Sequence, residues 1–68
     1  MIMRIEYDKE ADAVYIYIVS DIKEGEAKKT LQLNDDIILD FDKNEKLLDI
    51  EVLNASKHLS KDILLEEA

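Results

Sequence analysis

Seven consecutive residues, Ala13-Val14-Tyr15-Ile16-Tyr17-Ile18-Val19, carry no charge in a chain of which 38% is Asp, Glu, Lys or Arg. All but Ala13 are β-branched or aromatic, the side chains that fit a pleated surface, so the run is read as a strand extending over residues 13–20. Alternation sends Val14, Ile16 and Ile18 to one face and Ala13, Tyr15, Tyr17 and Val19 to the other. Both faces are apolar, which is the pattern of a central strand covered on each side. Any fold for this chain must hide that strand.

The rest of the chain supplies its neighbours. Residues 2–7 alternate, with Met3, Ile5 and Tyr7 opposite Arg4 and Glu6. Residues 28–33, KKTLQL, make a weaker strand whose lysines suit an edge. In IILDFD, 37–42, Ile37, Leu39 and Phe41 point inward and Asp40 and Asp42 outward. In LLDIEVL, 47–53, Leu48, Ile50 and Val52 form the buried face. Turns fall at Asp8–Asp12, at Asn34–Asp36 and at Lys43–Lys46, and a loop runs from Asp21 to Glu26 around the only glycine, Gly25. Ser60 is placed as a helix N-cap with Asp62 in the first turn, followed by an apolar stripe of Ile63 and Leu64 with Leu59 before it. The expected architecture is α+β, an antiparallel meander of about five strands with one short C-terminal helix, in a single domain over residues 1–68.

Sixty-eight residues without cysteine have no disulfide or thiolate–metal staple to add to the core. One short helix covers part of one sheet face, which leaves the face of Tyr15, Tyr17 and Val19 in need of a partner. A second copy is the simplest cover, so a homodimer with those three residues at its interface is expected. Acids outnumber bases 17 to 9, for a net charge of −8. That field repels nucleic-acid backbones and anionic lipid and attracts a basic protein. With no positively charged leader ahead of an apolar run, a cytoplasmic location is expected.

The stretch MRIEYDKEADAVYIYI has a strand, a Tyr-Asp pair, polar residues, Asp-Ala and a Tyr-containing strand. The stretch IILDFDKNEKLLDIEVLNAS has an Asp-aromatic-Asp turn, a strand and an Asn-Ala-Ser exit. In order and spacing the two resemble the DUF2283 family, and together they cover most of the chain. Glu45 and Asp49 stand where the family pattern calls for glycines. The resemblance implies a small β-rich domain with a terminal helix. It supplies no activity and no catalytic residues, and it associates members with small toxin-like proteins.

Residues 40–51, DFDKNEKLLDIE, fit the spacing of a calcium-binding EF-hand loop at Asp40, Asp42, Asn44 and Glu51. Glu45 replaces the glycine of the sharp bend, and both flanks are strands where that motif has helices, so a solvated acidic hairpin is the better reading. Asp8, Glu10 and Asp12 crowd one turn, where Asp side chains ordinarily accept backbone N–H bonds. A divalent-metal site drawing on Asp8, Asp12, Asp40 and Asp42 is the alternative reading. His58 has Ser56 and Ser60 beside it in sequence, but no glycine-rich oxyanion loop or second histidine completes a catalytic set. Tyr7, Tyr15 and Tyr17 fit packing or an interface better than base stacking in so acidic a chain. The expectation is a non-enzymatic homodimeric interaction module without cofactor, antitoxin-like in neutralising a basic partner.

Overall fold

A computed structural model describes residues 3–19 and 25–67, with the backbone alone for 65–67. Five strands form one antiparallel sheet: β1 (Arg4–Asp8), β2 (Ala13–Tyr17), β3 (Lys29–Gln32), β4 (Ile37–Phe41) and β5 (Leu47–Leu53). Two short helices follow, α1 (Ala55–His58) and α2 (Lys61–Glu67).

The strand order is β1-β2-β5-β4-β3, which corrects the expected meander. β1–β2 and β3–β4–β5 are separate hairpin units, and β5 closes the sheet by pairing with β2 as well as β4. A meander would have put β3 in the middle of the sheet. β3 is exposed at every position and carries lysine and glutamine, so it belongs at an edge. β5 is the longest strand and is apolar at Leu48, Ile50 and Val52, which suits it to the centre.

The register draws two apolar rows across one face. One runs Leu31–Leu39–Ile50–Ile16–Ile5, and the other Ile37–Val52–Val14–Tyr7, with Leu33 joined to Ile37 by a 2.9 Å backbone bond. Helix α2 lies over β1, and its Leu64 completes a core with Val14, Val52 and Ala55. Ile5, Tyr7, Ile16, Ile37, Ile50 and Leu59 pack around that core. The expected single helix is therefore a pair, with α1 turning the chain at the end of β5 so that α2 can return across the sheet.

The other face of β2 departs from the apolar surface expected of it. Ala13 is buried, but Tyr15 and Tyr17 are half-buried and face Glu51 and Asp49 across β5, with Glu6 and Arg4 on β1. β2 ends at Tyr17, and Val19 lies beyond it, half-buried.

Three non-glycine residues have left-handed backbone angles: Asp12 (φ 52°), Glu45 (φ 61°) and Asn54 (φ 51°). Asp and Asn tolerate that region, whereas Glu gains nothing there from its side chain. The β4–β5 turn nonetheless forms, because Asp42 accepts the N–H groups of Asn44 at 2.8 Å and Lys46 at 3.0 Å. Glu45→Gly should therefore stabilise the domain by about 1 kcal/mol in denaturant unfolding. Neighbouring positions on α2 should behave oppositely. Leu64→Ala, at a residue 8% exposed, should cost about 2–3 kcal/mol. Ile63→Ala, at one 42% exposed, should change stability by less than about 0.5 kcal/mol.

Candidate functional site

Asp12 and Asp36 fasten α1 to the sheet. The helix N-cap, Asn54, makes no side-chain bond to the helix, so the first N–H groups of α1 need other acceptors. Asp12 supplies them from across the sheet. Its carbonyl accepts Ala55 N–H at 2.8 Å. Its carboxylate accepts Ser56 N–H at 3.1 Å, Ser56 Oγ at 2.7 Å and the Tyr7 hydroxyl at 3.0 Å. The bonds from Ser56, then that from Tyr7, hold the Asp12 carboxyl below the usual carboxylate range against an opposing desolvation effect. The same contact raises Tyr7, whose hydroxyl is held by an anion.

Asp36 forms the second fastening. Its Oδ2 accepts His58 Nε2 at 2.8 Å and its Oδ1 accepts Asn54 Nδ2 at 2.9 Å, and these bonds lower its pKa, His58 contributing most. The Asn54 side chain is thus spent on the turn before β4, which explains why it leaves the helix uncapped. Ser56 and His58 bond to different carboxylates, so the sheet separates them instead of joining them into a nucleophile–base pair.

The four aspartates of the metal reading are likewise divided. Asp8 accepts the N–H groups of Glu10 and Ala11 in its own turn, at 3.1 and 3.2 Å. Asp12 serves Ser56 and Tyr7, Asp42 caps the β4–β5 turn, and Asp40 accepts Thr30 Oγ1 at 2.7 Å. The Asp8–Asp12 turn leads into Ala13 opposite Leu53, whereas Asp40 and Asp42 border the β5 end near Leu47. The two pairs therefore sit at opposite ends of the sheet. Among the described residues no group of three or more His, Cys, Asp or Glu side chains is arranged to hold a metal ion.

The carboxylates that do meet are Asp40, Asp49 and Glu51, on the sheet face away from the helices. With Tyr15, Tyr17 and Ile50 they line a shallow concavity of about 140 Å³. The register sets Asp40 beside Asp49, Asp49 beside Tyr17 and Glu51 beside Tyr15. Burial, then a hydrogen bond of the protonated form with Asp40 and the charges of Asp40 and Glu51, pushes Asp49 up to about 6. Tyr15 is raised as well, first by desolvation and then by Glu51 and Asp8. At the rim, the Arg4 guanidinium lies 4.5 Å from the Tyr17 ring centroid and 3.0 Å from Glu6. This cluster was missed in the sequence because it forms across strands far apart in the chain; the one local signal was Asp49, an acid inside an otherwise apolar strand.

Fold and site together define a small α+β domain: one five-stranded antiparallel sheet, two short helices on one face, and an acidic, tyrosine-bearing face opposite. Residues 4–56 match the family described as "Protein of unknown function (DUF2283)", and the chain belongs to that family. It is also 48% identical over 63 residues to an uncharacterized protein of Methanocaldococcus jannaschii, a match that takes in 91% of this chain and 49% of that protein. The chain thus spans about half the length of this curated relative. No solved structure matches. No helix among the described residues is long and apolar enough to cross a membrane.

The raised Asp49 carboxyl gives a pH dependence of definite sign. Its folded pKa exceeds the unfolded value of 3.8, so ionising it costs stability; the cost is absent below 3.8 and complete above about 6. Asp12 and Asp36, both lowered, act in the opposite sense and lose their contribution only under stronger acid. Asp49→Asn should therefore raise stability at neutral pH, on the order of 1 kcal/mol after discounting for solvent screening, and should flatten the unfolding free energy between pH 4 and 6. Denaturant unfolding across that pH range measures both effects.

Proposed function

We propose that this protein is a non-enzymatic protein–protein interaction module that works as a homodimer and offers the acidic tyrosine face of its sheet to a basic protein, in an antitoxin-like role. The observation that carries the reading is the concavity bordered by Tyr15, Tyr17, Asp40, Asp49 and Glu51. Two aromatic rings among three carboxylates suit the side chains of Arg and Lys, which combine a positive head with a stem or plane that rests on a ring. Arg4 already lies over Tyr17 in that manner, at the rim of the same surface.

The net charge of −8 favours encounter with a basic partner, since complementary fields raise association rate more than they raise affinity. Holding Asp49 uncharged in part of the population costs nothing to such a partner, because an approaching cation stabilises the ionised form. The division of Ser56 and His58 between Asp12 and Asp36 supports a role without catalysis.

Co-expression with the product of the adjacent gene tests the reading. A basic product should co-purify, and added salt should weaken the complex. The double variant Tyr15→Ala/Tyr17→Ala, checked for fold by circular dichroism, should lower affinity at least about tenfold. A product that never co-purifies with the wild type, or binding indifferent to both tyrosines, contradicts the proposal.

A further inference from the structure

Helix α2 protects only part of the apolar sheet face. It lies over β1 and packs Leu64 on Val14 and Val52, while the same two apolar rows continue beyond it into β4 and β3. There Leu31 is 44% exposed and Leu33 60% exposed, with half-buried Ile37 and Leu39 behind them. We infer that this β3–β4 end of the apolar face, centred on Leu31 and Leu33, is where a second copy of the chain packs, patch against patch about a two-fold axis. The inference rests on the homodimer of the proposed function and deepens it by naming the self-contact.

Area supports a second copy as the occupant. A folded monomer of 7.9 kDa is expected to expose roughly 4,400 Å². This chain exposes 5057 Å², an excess of roughly 600 Å², which approaches one partner's share of a standard protein interface, about 800 Å². The molecule is only 17 Å thick along its shortest axis, little more than a sheet with one partial layer on it. Its buried hydrophobic residues are Ala13, Val14, Leu48, Val52, Ala55 and Leu64, two of them alanines. So thin a core is the condition under which small unstapled domains gain burial by oligomerising.

Charge selects this face over the tyrosine face. Two copies of a chain at −8 repel, so a self-contact needs a surface without uncompensated acids. Leu31, Leu33, Ile37 and Leu39 provide one; Lys29, next in the alternation, is tied to Glu45 at 3.3 Å. A contact through Tyr15 and Tyr17 would bring Asp40, Asp49 and Glu51 of one copy toward those of the other. An isologous contact at the leucines also leaves both tyrosine faces free for other proteins.

Sedimentation velocity across a wide concentration range tests this, with circular dichroism confirming the fold of each variant. Wild type should sediment as a dimer of the 7.9 kDa chain, and added salt should strengthen it by screening the net charge. Leu31→Glu/Leu33→Glu should weaken self-association at least about tenfold. Leu33→Lys should also weaken it although it lowers the net negative charge, which separates loss of packing from added repulsion. Tyr15→Ala/Tyr17→Ala should leave the dimer intact. A dimer lost through the tyrosine variant and kept in both leucine variants would overturn the assignment of the surface while preserving the homodimer. A wild type monomeric at every concentration would overturn the homodimer and this contact together, leaving the basic-partner reading to its own test.

Discussion

The antiparallel pairing of β2 with β5 is the contact on which the other features depend. Setting Val14 against Val52 and Ile16 against Ile50 joins the two hairpin units and places both residues of the first pair in the core. The same register puts Tyr15 beside Glu51 and Tyr17 beside Asp49 on the reverse of the sheet. Because side chains alternate along a strand, a slip of one residue would exchange these faces, burying acids and exposing the core. Hydrophobic burial on one side thus determines where carboxylates and tyrosines gather on the other.

The acids of this chain divide into two populations by what their oxygens meet. Asp8, Asp12, Asp36 and Asp42 accept hydrogen bonds that shape turns or hold α1, and their negative charge is met by several donors each. Asp40, Asp49 and Glu51 stand on the open sheet face, with one another and with tyrosines for neighbours. The first population explains how a small domain with so few buried residues fixes its turns. The second leaves unsatisfied electrostatic potential on one face, which is the kind of surface a cationic side chain completes.

Much of this architecture could be read from residue order, and the remainder fails for definite reasons. All five strands are legible, with the alternation of Ile37, Leu39, Ile50 and Val52 on the buried side, because each depends on local pattern alone. Strand order is not local: KKTLQL announces an edge strand, yet nothing in residues 13–20 says that β5 will be their neighbour. The four-residue helix α1 escapes notice because its capping group is Asp12, 44 positions before Ser56. The turn at Glu45 looks unfavourable for the same reason, since the compensating acceptor is the Asp42 carboxylate. Reading Asp8 and Asp12 as turn-shaping residues succeeds in part: Asp8 does act locally, while Asp12 reaches a distant element. The acidic cluster lay out of reach because Asp40, Asp49 and Glu51 meet Tyr15 and Tyr17 only once the sheet has assembled.

Two surfaces of opposite character on one sheet give this family member a simple division of labour: leucines for its own kind, tyrosines and acids for a basic protein. Both surfaces follow from the β2–β5 register, so the register is the claim to test first. Nuclear Overhauser contacts between backbone protons of the two strands measure it directly. The account predicts contacts that place Val14 opposite Val52 and Ile16 opposite Ile50. Contacts joining β2 to β3, or placing Val14 opposite Glu51 or Leu53, would contradict it.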